Sequence, residues 1–267
     1  MAKRGIQVLA LMTLTCVLLA TLATAAAGGR PAGAQAQAAS AAASQPVYTY
    51  VALWAVPRPD WGDIEKFYKD AQPALNKLVA SGTLVGWGNA RAWVHDASGF
   101  THANWITATS LADIDRALKA IHDALPQPAA FSKAKHQDEV LRATIHHGKA
   151  GASGTGMLWV AQYAVRTDQM DDFTQLFESG VKPMFEEQMA AGTVLAYWLS
   201  FHAVHTDAPG GVSIAYLLPD AAAIDKFQAA LEAYQAKNPE LASAIMNTME
   251  YTAHRDSVYE VLSFGQK

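Results

Sequence analysis

Slid against itself by 110 residues, the chain matches without a gap from about Tyr50 to Ala120, and a chain written twice folds as a pair of like units. Phe67 falls on Phe177, Pro73 on Pro183, Ala80 on Ala190, Gly82-Thr83 on Gly192-Thr193, His95 on His205 and Ile114-Asp115 on Ile224-Asp225. After a longer second helix in the later copy, His136-x-Asp138-x-Val140 matches His254-x-Asp256-x-Val258. Identity is low, but the matches fall at structural punctuation and keep one offset. Residues 47–148 and 157–267 are therefore read as two units. The Gly/Ser/Ala stretch at 149–156 is expected to be a flexible connector between them. It lacks Gly-Lys-Ser/Thr and is followed by a β-like run, so it is no phosphate loop.

Each copy carries the same order of elements. Residues 47–56 and 157–165 are rich in β-branched and aromatic residues and predict strands. Residues 63–80 and 171–191 show helical apolar spacing, stopped by Gly82 and Gly192. Strands are predicted at 83–95 and 193–205, third strands at 102–109 and 212–218, second helices at 113–125 and 221–236, and closing strands at 140–146 and 258–264. The order β-α-β-β-α-β is the ferredoxin-like, split-βαβ unit: an antiparallel sheet with two helices on one face. The fold class is thus α+β. The two bare sheet faces of one chain can cover each other.

A helix ending in Gly-Thr, followed by a long strand, within a duplicated unit of this kind resembles the dimeric α/β-barrel superfamily. That group includes antibiotic-biosynthesis-type monooxygenases, EthD-like and NIPSNAP-like proteins, and the haem-binding chlorite dismutases. The resemblance spans roughly residues 47–265 and rests on architecture, not on a motif. It implies two units packed sheet to sheet as a barrel with a ligand cavity beside the sheet. The functions it implies run from haem chemistry and cofactor-free oxygenation to no activity, so the fold constrains function little.

The N-terminus reads differently from the rest. Lys3 and Arg4 precede an uncharged run from Gly5 to Gly29 rich in Leu, Ala, Val and Thr, and Ala23-Thr24-Ala25 supplies small residues at signal-peptidase spacing. Together these predict a secretory signal peptide over 1–25 and export to a periplasm or the medium, with an uncleaved membrane anchor as the alternative. Residues 26–46 read as a low-complexity tether. The single cysteine, Cys16, lies within the apolar run. A mature chain beginning at residue 26 has no disulfide and no membrane span. The formal net charge of −4 argues against a nucleic-acid partner.

The strand at 83–95 carries the candidate site. Its even positions, Leu84, Gly86, Gly88, Ala90, Ala92 and Val94, are small or apolar, as suits a face under close-packed helices. Side chains alternate along a strand, so the odd positions are expected to line the barrel. This gives Trp87, Asn89, Arg91, Trp93 and His95, with Tyr197, Phe201 and His205 from the second copy, as the ligand pocket. Arg91 suits a carboxylate, and His95 and His205 suit acid–base or ligand roles. The competing reading is that these aromatics fill the core and the histidines cap strand ends. His102, Asn104 and Tyr163 are lesser candidates.

No His-Glu-x-x-His, cysteine pair or nucleophile elbow is present, so no metal or hydrolase site is predicted. The leading expectation is an exported protein binding a small, partly apolar molecule in its barrel, with or without cofactor-free monooxygenase-like chemistry. Haem binding on the same fold, which needs one axial histidine, is the second reading. A solidly packed, non-catalytic interaction protein is the third. Assembly as a homo-oligomer is compatible with each.

Overall fold

The computed structural model describes residues 46–95, 98–204 and 210–267. The expected signal peptide, the tether up to residue 45, and His205 lie outside the described residues. The first unit contains β1 (Val47–Ala55), α1 (Trp61–Ala80), β2 (Gly86–Ala92), β3 (His102–Ala108), α2 (Leu111–Ala124), a short α3 (Ala129–Lys133) and β4 (Lys135–Gly148). The second contains β5 (Ser153–Val165), α4 (Met170–Leu176), α5 (Lys182–Ala190), β6 (Ala196–His202), β7 (Gly211–Leu218), α6 (Ala221–Lys237), α7 (Pro239–Thr248) and β8 (Met249–Gln266). A wide helical turn at Phe177–Val181 joins α4 to α5 ahead of Pro183, so the second unit's first helix runs on through one widened turn.

Punctuation repeats at the same offset as the sequence. Gly82 and Gly192 close the first helices with φ of 80° and 74°, a conformation that costs a residue with a Cβ. Ser110 and Asp220 cap the second helices by accepting from the backbone N–H of Asp113 and Ala223. Trp87 Nε1 donates to Asn76 Oδ1 at 3.1 Å, and Tyr197 Oη to Glu186 Oε1 at 2.6 Å; each bond ties the second strand of a unit to its first helix, 110 residues apart.

The eight strands form one closed antiparallel barrel in the order β1-β3-β2-β8-β5-β7-β6-β4. Each unit supplies four contiguous strands, and the units join edge to edge: Gly86 to Ala92 pair with β8, and Leu141 to Gly148 pair with β6. Closure leaves neither sheet with a free edge. It also turns both bare faces onto a common interior. Residues 149–156 are not the loose connector expected. Gly151 turns the chain at φ 69°, its N–H donates to Lys267 O, and β5 begins at Ser153 opposite Gly265. The end of β8 gives this segment a backbone partner.

The helices cover the outside. Leu75, Leu84, Trp87, Ile106 and Ile114 pack beneath α1 and α2. Phe173, Phe177, Phe185, Tyr197, Tyr216 and Phe227 form the aromatic counterpart in the second unit. Inside the barrel, Ala90, Leu158, Ala196, Leu217, Val261 and Phe264 fill one end together with Trp105 and Trp198.

Gly88 sets the phase of β2. A Cβ there would lie 2.0 Å from Cζ2 of Trp105, whose ring crosses the strand inside the barrel. The run of small residues therefore makes room for an inward tryptophan, not for a helix. Gly88→Ala is expected to lower stability by about 1–3 kcal/mol by overpacking an aromatic ring, measured as the loss in urea midpoint at unchanged slope.

Candidate ligand site in the barrel

The barrel is hollow toward one end. A cavity of about 570 Å³ is bounded by Thr49, Val51 and Leu53 of β1, Ala103, Trp105 and Thr107 of β3, Gln137, Glu139 and Leu141 of β4, Leu158, Val160 and Gln162 of β5, Ser200 and His202 of β6, Ser213 and Ala215 of β7, and Arg255, Ser257 and Tyr259 of β8. These are alternate positions of seven strands, as inward faces must be. Lys135, Ala253 and Arg255 at the mouth are exposed, whereas Glu139, Leu141, Ser200 and Ser213 are buried. From Lys135 to Leu141 the wall is six residues, roughly 20 Å of strand, or about 15 Å along the axis of a barrel whose strands tilt by some 40°. Charge is graded along that depth. Two cations flank the opening, a carboxylate follows two rungs further down β4, and two tryptophans form the floor.

Glu139 is the buried charge of the lumen, 6% exposed. Gln137 Nε2 donates to its Oε1 at 3.1 Å. A carboxylate has about four lone-pair sites, so it can accept further hydrogen bonds. His202 lines the same wall, its ring seated against Gly211, where a Cβ would come within 3.0 Å of Cδ2. It is the one imidazole among the described residues that line the cavity.

The side chains expected to line this space, His205 outside the described residues apart, are elsewhere. Because Gly88 and Ala90 face inward, the odd positions of β2 face α1. Trp87 is held by Asn76, Asn89 Nδ2 reaches Ser263 Oγ at 3.3 Å, and Arg91 bridges Glu65 of α1 at 2.7 Å and Glu260 of β8 at 2.5 Å. In the second unit Tyr197 and Phe201 join the core beneath α5 and α6, with the rings of Tyr197 and Phe185 4.7 Å apart. Trp93 and His95 lie exposed beyond the end of β2, His95 6.0 Å from the Trp61 ring. Asn104 also faces outward, accepting from Trp54 Nε1. Of the residues named from the sequence, Tyr163 lines the cavity, at its mouth. The inward set of β3, β4 and β8 was missed, although Gly88 opposite Trp105 would have fixed the phase and Gln137-x-Glu139-x-Leu141 would have followed. Arg91→Ala is therefore expected to loosen α1 from the sheet, lowering stability by about 1–2 kcal/mol and leaving occupancy of the lumen unchanged in a binding titration.

His102 sits on the outer face beneath α1, fully buried. Thr101 Oγ1 accepts from Val56 N–H at 2.9 Å and reaches the carbonyls of Trp54 and Val56 with its one hydrogen. It must then accept from His102 Nδ1, 3.0 Å away, which leaves Nε2 as a bare acceptor. Neither Nε2 nor the buried Tyr68 hydroxyl has a hydrogen-bond partner among the described residues. Burial, and then the Arg91 charge, push the imidazole down to about 4. His146 is likewise lowered to about 4, by burial and by His147. The unfolded chain takes up these protons near pH 6.5 and the native fold only near pH 4, so stability is full above pH 6.5 and falls as pH drops to 4. For His102 the loss is about 3 kcal/mol. The melting temperature is expected to decline across that window, and His102→Gln to flatten the decline.

Among the described residues, no three His, Cys, Asp or Glu side chains gather as a metal site, and no helix is long and apolar enough to cross a membrane. The chain superposes on a Lactobacillus acidophilus protein assigned as a monooxygenase with a TM-score of 0.59 and 11% identity, covering 83% of this chain and 96% of that one. It superposes on a Fusobacterium nucleatum protein of the same assignment with a TM-score of 0.61 and 12% identity, covering 83% and 94%. No family sequence model and no curated protein sequence matches it. At such identities the likeness shows the fold alone, and that fold is the dimeric α/β barrel, here made by one chain.

Proposed function

We propose that the protein binds a small, partly apolar molecule inside its barrel. The observation that carries this reading is the hollow lumen itself: about 570 Å³ enclosed by β-strands, with Trp105 and Trp198 at the floor and Gln137, Glu139, Gln162 and Arg255 above them. Volume and lining both fall in the range of small-molecule sites. The flat apolar part of the ligand rests on the tryptophans, and its hydrogen-bonding groups meet Glu139 and Gln137. Oxidative chemistry comes into view through the two neighbours assigned as monooxygenases; within this lumen Glu139 is the carboxylate placed to take a proton from a bound molecule. An iron porphyrin is the alternative occupant, and His202 is the described lining residue with an imidazole to offer its iron. Residues 1–25 support action outside the cytoplasm, checked by a mature mass that begins after Ala25.

Ser213 is buried on the inner wall beside Ser200, so Ser213→Phe places a ring in the lumen. Native mass spectrometry of the protein purified from its own compartment is expected to show bound mass that this variant loses while its circular dichroism is retained. A Soret band lost in His202→Ala would identify the occupant as haem. Bound mass kept by Ser213→Phe would place the ligand outside the lumen and overturn the reading.

A further inference from the structure

Lys135 and Arg255 both line the open end of the lumen, and both are exposed. Neither forms an ion pair among the described residues. The other basic side chains of the sheet are engaged or remote: Arg91 is held by two carboxylates on the outer face. Lys135 instead lies over the ring of Phe100, its Nζ 5.0 Å from the centroid, which presents the ammonium at the rim. The two cations come from opposite walls, since β4 and β8 stand four strands apart in the closed order. Gln137 sits one inward position below Lys135, Gln162 lies directly opposite Arg255, and both add amide donors. The one acidic group of the described lining, Glu139, is set deeper and already accepts from Gln137.

An opening built this way discriminates by charge. From this distribution, and resting on the reading of the lumen as a binding site, we propose that the ligand is a small aromatic or unsaturated acid that enters body first. Its apolar part reaches Trp105 and Trp198 while its carboxylate stays at the mouth between Lys135 and Arg255. A depth of about 15 Å along the barrel axis holds a two- to three-ring body with a short acidic arm. A neutral molecule of the same shape gains the floor contacts but not the charge-assisted hydrogen bonds. A cationic one meets like charge on the way in.

The test uses two probes that differ only in the head group, 2-naphthylacetate and 2-naphthylethanol, titrated by calorimetry into the full mature chain at low ionic strength. The acid is expected to bind at least tenfold more tightly than the alcohol, with an affinity that falls as salt is added. The double variant Lys135→Gln/Arg255→Gln is expected to remove that preference and leave the alcohol's affinity unchanged. Ser213→Phe is expected to abolish binding of both. Equal affinities in the parent protein, or a preference that survives the double variant, would overturn the assignment of an acid while leaving the lumen site standing. Binding of both probes undiminished in Ser213→Phe, or no binding of either to the parent, would instead remove the lumen site and this assignment with it.

Discussion

The two edge pairings between the units, β2 with β8 and β4 with β6, are the constraint on which the rest depends. A four-stranded sheet with helices on one face has an apolar second face and two open edges, and alone it would do no more than associate. Closing both edges within the chain satisfies the backbone groups of the outer strands. It also fixes the distance between the inner faces, since a barrel's width follows from strand number and tilt. Once eight strands are closed, the interior is just wide enough for side chains to fill or for one small molecule to occupy. Which of these happens is decided by the volumes of the inward residues.

Much of the architecture was legible because duplication doubles every weak signal. Gly82 and Gly192, Ser110 and Asp220, and the pair of helix-to-strand hydrogen bonds at Trp87 and Tyr197 all keep one offset. Each residue alone is ambiguous, but their spacing is not. The connector at 149–156 was not legible as structure, because its order comes from the distant end of β8 and not from its own glycines. The site was misread for a related reason. Alternation along β2 is plain in the sequence, but which face is inner depends on a residue 17 positions away, Trp105, lying across Gly88. A run of small residues signals close approach without saying what approaches.

That inversion separates two kinds of polar group. The outer set, Arg91 with Glu65 and Glu260, ties α1 to the sheet, and its charges are spent on one another, while the neutral His102 is buried beside it. The equivalent outer positions in the second unit, Phe201 and Val212, are apolar and belong to the aromatic core. The repeats thus reach the same helix packing by different chemistry. The inner set is arranged differently, with its two cations on opposite walls of the rim and Glu139, which accepts from Gln137, set below them.

The hollow is a consequence of how the repeats diverged inside the barrel. A solid core would need bulk on both units at each level. The first unit puts Trp105 on β3 against Gly88 on β2; the second puts Trp198 on β6 against Ala215 on β7. Large is paired with small at the floor, so that end closes without strain. Above the floor the alternation stops, and Ala103, Ser200, Ser213 and Ser257 face the lumen together with aliphatic residues of moderate size. An apolar void of that volume would forfeit dispersion contacts over its whole lining, whereas this one carries serines, glutamines and a carboxylate that can hydrogen-bond an occupant. A lumen lined in this way is stabilised by whatever fills it, water or ligand, and the polarity that makes an empty barrel poorly packed is the same polarity that selects its occupant.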